Sequence, residues 1–94
     1  MAKAYFNDQL IADSTNTVKL EGNHYFPWAA VNKELLQPNT KTTVCPWKGT
    51  ASYYDVVVDG QVATAAAWEY KSPSDRAAVI TGHVAFYGDV TVTD

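Results

Sequence analysis

The side chains best suited to chemistry are densest in one short stretch, where Cys45, Trp47, Lys48 and Gly49 fall within five consecutive positions. A thiolate is the reactive form of cysteine, and a nearby cation favours it. Lys48 follows Cys45 across a bend that begins at Pro46, so this pair is suited to thiol chemistry. The alternative is an inert cysteine packed beside Trp47, because cysteine is among the most buried residue types. The sequence leaves both readings open, with Cys45 and Lys48 as the candidate catalytic residues.

Nucleotide chemistry is a second hypothesis for the same stretch. Lys48 precedes Gly49, whereas a phosphate-binding Walker loop places a glycine before its lysine. Asp55 and Asp59 belong to one predicted strand and its turn, which separates them by about 13 Å at ~3.3 Å per residue. Carboxylates that far apart do not share a magnesium ion. We therefore predict no metal site and no cofactor.

Aromatic rings with polar tips, accompanied by a few charged side chains, indicate a small-molecule cleft. His24, in a turn near Glu21, is suited to act there as an acid or a base, or simply to cap the turn. We expect Glu69 to be exposed or to pair with Lys48 or Lys71. The alternative is that the rings form the core of a small domain. The candidate ligand-binding residues are Glu21, His24, Tyr25, Phe26, Trp47, Gly49, Tyr53, Trp68 and Tyr70.

Short strands joined by tight turns must position these side chains. Asp59 and Gly60 predict a two-residue type I′ turn between strands at residues 50–58 and 61–70, because both turn positions need a positive φ. A second hairpin is predicted to turn at residues 7 and 8, and residues 17–21 alternate between apolar and polar side chains as a half-buried strand does.

One short helix is predicted to begin at Pro27, which suits a first helical turn because it lacks a backbone N–H group. Trp28, Val31 and Leu35 would share its buried face. Residues 37–40 would end it.

The last part of the chain predicts further strands. Residues 72–75 are expected to cap a single helical turn, and residues 84–92 to form a closing strand or hairpin. Residues 90–93 would be an exposed edge strand able to support a dimer. The residues together predict a mainly β, mostly antiparallel domain with one short helix, spanning residues 1–94.

Composition narrows the class of protein. The chain has 94 residues, 47% of them hydrophobic, which favours one folded domain. Its net charge is -3 and its seven cations are scattered, so we do not expect nucleic acid as a partner. No run approaches the ~20 apolar residues that a membrane helix needs, so we expect no membrane partner either. The predicted location is cytoplasmic, and the predicted state is a monomer or a homodimer that binds a small molecule.

Four blocks of residues carry a resemblance to a known family. They are residues 21–27, residues 43–54, residues 67–70 with Pro73, and residues 80–87. In these blocks the chain resembles the domain of unknown function 427 family, which also carries a nucleotidyltransferase label. The resemblance implies a β-tent (Mss4-like) fold of two antiparallel sheets splayed from a common edge. Proteins of that shape often hold zinc between paired cysteines, and the single Cys45 departs from that pattern, so no metal carries over.

The resemblance supplies no activity, and three functions remain. The first is binding of a small molecule in an aromatic-lined cleft where residues 25–27, 45–53 and 68–70 converge. The second is an enzyme with nucleotidyltransferase-like or thiol-based chemistry at Cys45 and Lys48. The third is a structural or protein-interaction module without a ligand.

Overall fold

A computed structural model describes residues 1–94 and consists mainly of β-strands. The strands are β1 (Ala2–Phe6), β2 (Gln9–Ser14), β3 (Val18–Leu20), β4 (Asn23–Pro27), β5 (Leu36–Cys45), β6 (Gly49–Val58), β7 (Gln61–Tyr70), β8 (His83–Phe86) and β9 (Thr91–Thr93). A three-stranded sheet has the order β2-β1-β9, and a six-stranded sheet has the order β3-β4-β8-β7-β6-β5. All neighbouring strands are antiparallel, which confirms the predicted mainly β fold of two antiparallel sheets. The likeness to a β-tent stays a prediction.

Both predicted hairpin turns are present. Asn7 and Asp8 have φ angles of 50° and 62° between β1 and β2. Asp59 and Gly60 have φ angles of 50° and 79° between β6 and β7. Two successive positive φ angles define the type I′ turn, whose twist matches that of the paired strands. Local turn chemistry therefore sets these two hairpins.

The structure corrects the predicted short helix after Pro27. That segment contains two separate 3-10 turns, Trp28–Ala30 and Lys33–Leu35. Val31 between them is extended and forms a bridge to Ala12 of β2. The pairing of Val31 with β2 prevents a continuous helix, because an extended residue cannot continue the helical hydrogen bonds.

Residues 37–40, predicted to end that helix, instead lie within β5. Pro38 fits there because β5 is the edge of its sheet, where a missing N–H group costs no ladder hydrogen bond. The expected turn after Pro73 is a 3-10 segment, Asp75–Ile80, that is irregular at Ala77. No helix in the structure has the length and apolarity needed to cross a membrane. The cytoplasmic location stays a prediction.

Residues 84–92 do not form a hairpin of their own. β8 joins the six-stranded sheet, whereas β9 pairs with β1 in the other sheet. β9 is an edge strand, as expected for residues 90–93. The dimer that this edge would support stays a prediction.

Two apolar clusters cover opposite faces of the six-stranded sheet. The larger cluster joins the two sheets and includes Ala4 and Ile11 from one sheet and Phe26 and Val84 from the other. The smaller cluster contains Tyr25, Ala51, Tyr70 and Ala85, covered by Ala77 and Ile80 of the 3-10 segment. Successive residues of a strand point to opposite faces, so neighbours such as Tyr25 and Phe26 enter different clusters.

Asp55 holds an irregularity between β6 and β7. The register of the two strands shifts between Tyr54 and Val56, where Asp55 of β6 lies opposite three residues of β7, 64–66, so that β7 carries the extra residues of the bulge. Its carboxylate accepts a hydrogen bond from the Ala65 N–H at 2.7 Å and one from the Asn39 side chain at 2.8 Å. Ala65 has a φ of 51°, a region that L-residues rarely adopt. The carboxylate therefore stabilises an unfavourable backbone conformation.

Replacing Asp55 by alanine is expected to lower the free energy of unfolding by about 1–3 kcal/mol, because the Ala65 N–H loses its acceptor. Asp59→Asn is the control, since asparagine also suits the type I′ turn and should change stability by less than about 0.5 kcal/mol. Urea unfolding followed by tryptophan fluorescence measures both. Equal losses in the two variants would contradict a specific role for the Asp55 carboxylate.

Candidate functional site

The chemistry-rich stretch forms the turn between β5 and β6. Cys45 pairs with Gly49 at the end of the ladder, so residues 46–48 make a three-residue loop. Gly49 has a φ of 117°, and a Cβ at this position would lie 3.4 Å from the Ser72 carbonyl oxygen. Both the backbone angle and the close approach favour glycine here.

Ser74 fastens this loop to the segment that follows β7. Its N–H donates to the Lys48 carbonyl at 2.9 Å, and its hydroxyl donates to the Trp47 carbonyl. Arg76 from the same segment lies 5.6 Å from the centre of the Trp47 ring. The loop that presents Lys48 is therefore tied to a second part of the chain.

Lys48 points into the smaller cluster, although it is charged. Only 7% of the residue is exposed, and its ammonium forms an ion pair with Glu21 from the β3–β4 turn. The rings of Trp47 and Tyr70 have centres 5.5 Å and 5.4 Å from the ammonium nitrogen. A buried ammonium needs such compensation, because burial alone disfavours its charge.

The pKa shifts of Lys48 and Glu21 show that their interaction outweighs the cost of burying the two charges. Burial acts to lower the pKa of Lys48, but the hydrogen bond to Glu21 and the nearby phenols of Tyr25 and Tyr70 outweigh it, so the pKa is raised. The hydrogen bond from Lys48 lowers the pKa of Glu21 in spite of some desolvation, with help from the Trp47 indole. Both groups are therefore charged at neutral pH.

Most of the predicted binding rings meet around Lys48. The Trp68 indole donates to the Tyr25 hydroxyl at 3.2 Å, and the two rings are perpendicular with centres 6.1 Å apart. Tyr53 lies 6.4 Å from Trp68 between ring centres. Burial raises the pKa of Tyr25 and of Tyr70, so both phenols keep their protons. The members of this Lys48 cluster are Glu21, Tyr25, Cys45, Trp47, Lys48, Tyr53, Trp68 and Tyr70.

The Lys48 cluster is packed rather than open. Tyr25 is 1% exposed and Tyr70 is 6% exposed, and none of the three surface depressions is lined by any residue of the cluster. Its ion pair joins the β3–β4 turn to the β5–β6 turn. The cluster therefore has a structural role, because it links the β3–β4 hairpin to the β5–β6 hairpin.

His24 and Phe26 lie away from that cluster. Both belong to the face of β4 opposite to Tyr25, and Phe26 is fully buried in the larger core. His24 contacts the Thr17 hydroxyl at 2.7 Å and pairs with the Asp94 carboxylate, and that contact lowers the pKa of Asp94. A site on the Tyr25 face therefore excludes both residues.

Glu69 differs from its prediction, because it is neither exposed nor paired with Lys48 or Lys71. It is 9% exposed, and β7 directs it away from the Lys48 cluster. One carboxylate oxygen accepts the Trp28 indole N–H at 3.3 Å, and the other accepts the Tyr54 hydroxyl. The Trp28 and Tyr54 rings are nearly perpendicular, with centres 5.6 Å apart.

The partners of Glu69 are neutral. Burial raises the pKa of Tyr54, and the hydrogen bond to Glu69 and the charge of that carboxylate raise it further, so the phenol stays protonated and donates. The ion pairs of the structure are His24 with Asp94 and Lys48 with Glu21, and neither involves Glu69. Glu69 thus accepts two neutral donors and forms no ion pair.

An open groove lies beside this carboxylate. Its volume is about 360 Å³, compared with about 160 Å³ and 170 Å³ for the other two depressions. Ligand pockets usually occupy roughly 300–1,000 Å³, so this groove alone reaches the usual size. The Glu69 groove is lined by Trp28, Lys33, Leu36, Pro38, Tyr54 and Glu69.

The sequence reasoning missed Trp28 and Tyr54 as site residues. The spacing of apolar residues predicts Trp28 on the buried face of a helix, whereas the observed 3-10 turn directs it toward Glu69. One signal was present, because Glu69 is the only charged residue of β7. A single charge in an otherwise uncharged central strand indicates a buried carboxylate with dedicated partners.

The Glu21–Lys48 pair should make stability depend on pH. Because the pKa of Glu21 is lowered on folding, the pair stabilises the protein above the usual value of 4.5, and that stabilisation is lost as the pH falls through the lowered value. The raised pKa of Lys48 preserves the pair up to and beyond 10.5. Glu21→Gln should therefore unfold more easily than the wild type at pH 7, with the difference disappearing in acid.

Urea unfolding between pH 7 and pH 3 measures this difference. Glu34→Gln is the control, since Glu34 is exposed and forms no ion pair. A Glu21→Gln deficit that persists unchanged at the lowest pH would contradict an ionic contribution.

Comparison with known proteins gives the family of the chain. A family model described as "Domain of unknown function (DUF427)" matches residues 1–93. A search of proteins with curated functions found no match. Since the family match covers nearly the whole chain, and includes both the Lys48 cluster and the Glu69 groove, this protein belongs to the DUF427 family, whose function is unknown.

Proposed function

We propose that this protein binds a small molecule in the Glu69 groove. The observation that carries the proposal is a buried carboxylate, held in place by two ring donors, at the side of an open groove of about 360 Å³. Ligand pockets combine apolar walls with a few fixed polar groups. The Glu69 groove has both features.

The walls of the groove come from rigid parts of the fold. Tyr54 lies on β6 and Glu69 on β7, which are paired interior strands of the six-stranded sheet. Trp28 and Lys33 belong to the two 3-10 turns, which the bridge between Val31 and β2 fastens to the other sheet. Side chains fixed by strand pairing suit a binding site, because little conformational entropy is lost when a ligand binds.

The site that we propose therefore lies on the face of the sheet opposite to the aromatic cleft predicted from the sequence. Rings and a carboxylate remain its main features, but Trp28 and Tyr54 replace Tyr25 and Trp68 as the walls. The Lys48 cluster is the less favourable site, since a ligand there would have to displace Glu21 from a buried ammonium.

The three tryptophan indoles allow the two sites to be distinguished in one experiment. Trp28 donates to Glu69 in the groove, whereas Trp47 donates to Glu21 and Trp68 donates to Tyr25 in the cluster. Screening nucleotides, amino acids and amines against nitrogen-15-labelled protein should reveal ligands that move the Trp28 indole resonance alone. Resonances are assigned with single Trp→Phe variants.

Trp28→Ala should abolish the binding of any such ligand, because it removes one wall of the groove. Trp47→Ala is the matched control and should bind normally, and thermal unfolding verifies that both variants are folded. Ligands that move Trp47 and Trp68 but not Trp28 would relocate the site to the Lys48 cluster. A screen without any shift would favour a structural or protein-interaction module.

Thiol chemistry at Cys45 is the second candidate function. The structure supports it by bringing Cys45 and Lys48 into one cluster with the phenols of Tyr25 and Tyr70. The ion pair weakens it, because the Lys48 charge is already compensated by Glu21 and so does little to favour a thiolate.

We therefore expect iodoacetamide to label Cys45 no faster than free cysteine at pH 7. Mass spectrometry of the intact protein follows the reaction, with unfolded protein in urea as the accessible reference. Labelling much faster than free cysteine, and slowed by Lys48→Met, would instead support an enzyme in which Lys48 activates Cys45.

A further inference from the structure

The charge of Glu69 indicates which class of ligand the groove takes, and this step rests on the proposed binding function. We infer that the Glu69 groove binds a small organic cation, an ammonium group whose positive nitrogen lies against the Glu69 carboxylate and the Trp28 and Tyr54 rings.

The first argument is the missing countercharge. A buried carboxylate is normally paired with a cation, because desolvation of an isolated charge is costly. Glu69 is 9% exposed and forms no ion pair. Lys48, the other buried charged residue, shows the usual solution, since Glu21 pairs with it. A cationic ligand would supply to Glu69 what Glu21 supplies to Lys48.

The second argument is the chemistry of the walls. Trp28 and Tyr54 both line the groove beside the carboxylate, with their rings 79° apart. Aromatic faces attract cations through their quadrupole, and tryptophan does so most strongly. Rings next to a carboxylate are the combination that recognises alkylammonium groups, because the alkyl part packs on the rings while the charge is neutralised.

The third argument concerns the orientation of the ligand. Lys33 is the only cation that lines the groove, and it is exposed, whereas Glu69 is buried. Leu36 and Pro38 are uncharged lining residues of the same groove. A positive nitrogen is therefore favoured at Glu69, and any polar or anionic part of the ligand is favoured on the Lys33 side, toward solvent.

A pair of probes with the same shape tests the inference. Choline carries a quaternary ammonium group, and 3,3-dimethylbutan-1-ol is its neutral carbon counterpart. Titration into the nitrogen-15-labelled full chain, at constant ionic strength kept with sodium chloride, should move the Trp28 indole resonance with choline. The neutral alcohol should bind at least about tenfold more weakly, because it cannot pair with Glu69.

Two variants separate the Glu69 charge from net charge. Glu69→Gln keeps the shape and removes the charge: its amide oxygen can accept the Trp28 indole N–H, and its NH2 group can donate to the Tyr54 hydroxyl oxygen. This variant should weaken choline binding at least about tenfold. Glu34→Gln changes net charge by the same amount on an exposed residue and should leave choline binding unchanged. Thermal unfolding verifies that both variants are folded.

The outcomes distinguish this inference from the proposal on which it rests. Equal binding of choline and the alcohol, unaffected by Glu69→Gln, would overturn the cation inference while leaving a groove that binds small molecules. No shift of the Trp28 indole with choline would also overturn it. If the wider screen likewise moved no Trp28 resonance, the binding function itself would fall.

Discussion

Consecutive side chains of a β-strand point to opposite faces of the sheet, and this alternation organises both candidate sites. On β7 it places Trp68 and Tyr70 on one face and Glu69 on the other. On β4 it separates Tyr25 from Phe26 in the same way. Because the six-stranded sheet is packed on both faces, residues that are adjacent in the sequence serve two unrelated environments. One face holds the Lys48 cluster, and the other holds the Glu69 groove and the larger core.

The two environments solve the problem of a buried charge differently. The cost of burying Lys48 is offset within the fold by Glu21, and the resulting ion pair joins the β3–β4 and β5–β6 turns. Glu69 is stabilised only by the neutral donors Trp28 and Tyr54. The Lys48 cluster therefore contains a complete ion pair, whereas the Glu69 carboxylate lies beside open space and forms none. That difference is the physical basis for proposing a structural role for the Lys48 cluster and ligand binding for the Glu69 groove.

The predictions from sequence succeeded where neighbouring residues decide the outcome. The turns at Asn7–Asp8 and Asp59–Gly60, and the strand at Gln61–Tyr70, follow from local φ preferences and from apolar runs. The prediction of a helix after Pro27 was wrong because Val31 forms a β-bridge with Ala12. Ala12 is 19 positions away in the sequence, so no local pattern reveals this pairing. The convergence of Lys48 with its rings was anticipated, but the exclusion of His24 and Phe26 was not.

The sequence by itself determined the two hairpins that turn at residues 7–8 and 59–60, the family and the residues capable of chemistry. The hairpins follow from backbone preference and periodicity, and the family follows from the resemblance of four blocks of residues; neither needs knowledge of distant contacts. Only the tertiary structure decided on which face of the sheet a groove stays open. The 3-10 segment Asp75–Ile80 covers the face that carries Tyr25 and Tyr70, while the turn at Trp28–Ala30 leaves space beside Glu69. Openness depends on which segments pack over a face, and that packing is a property of the whole chain.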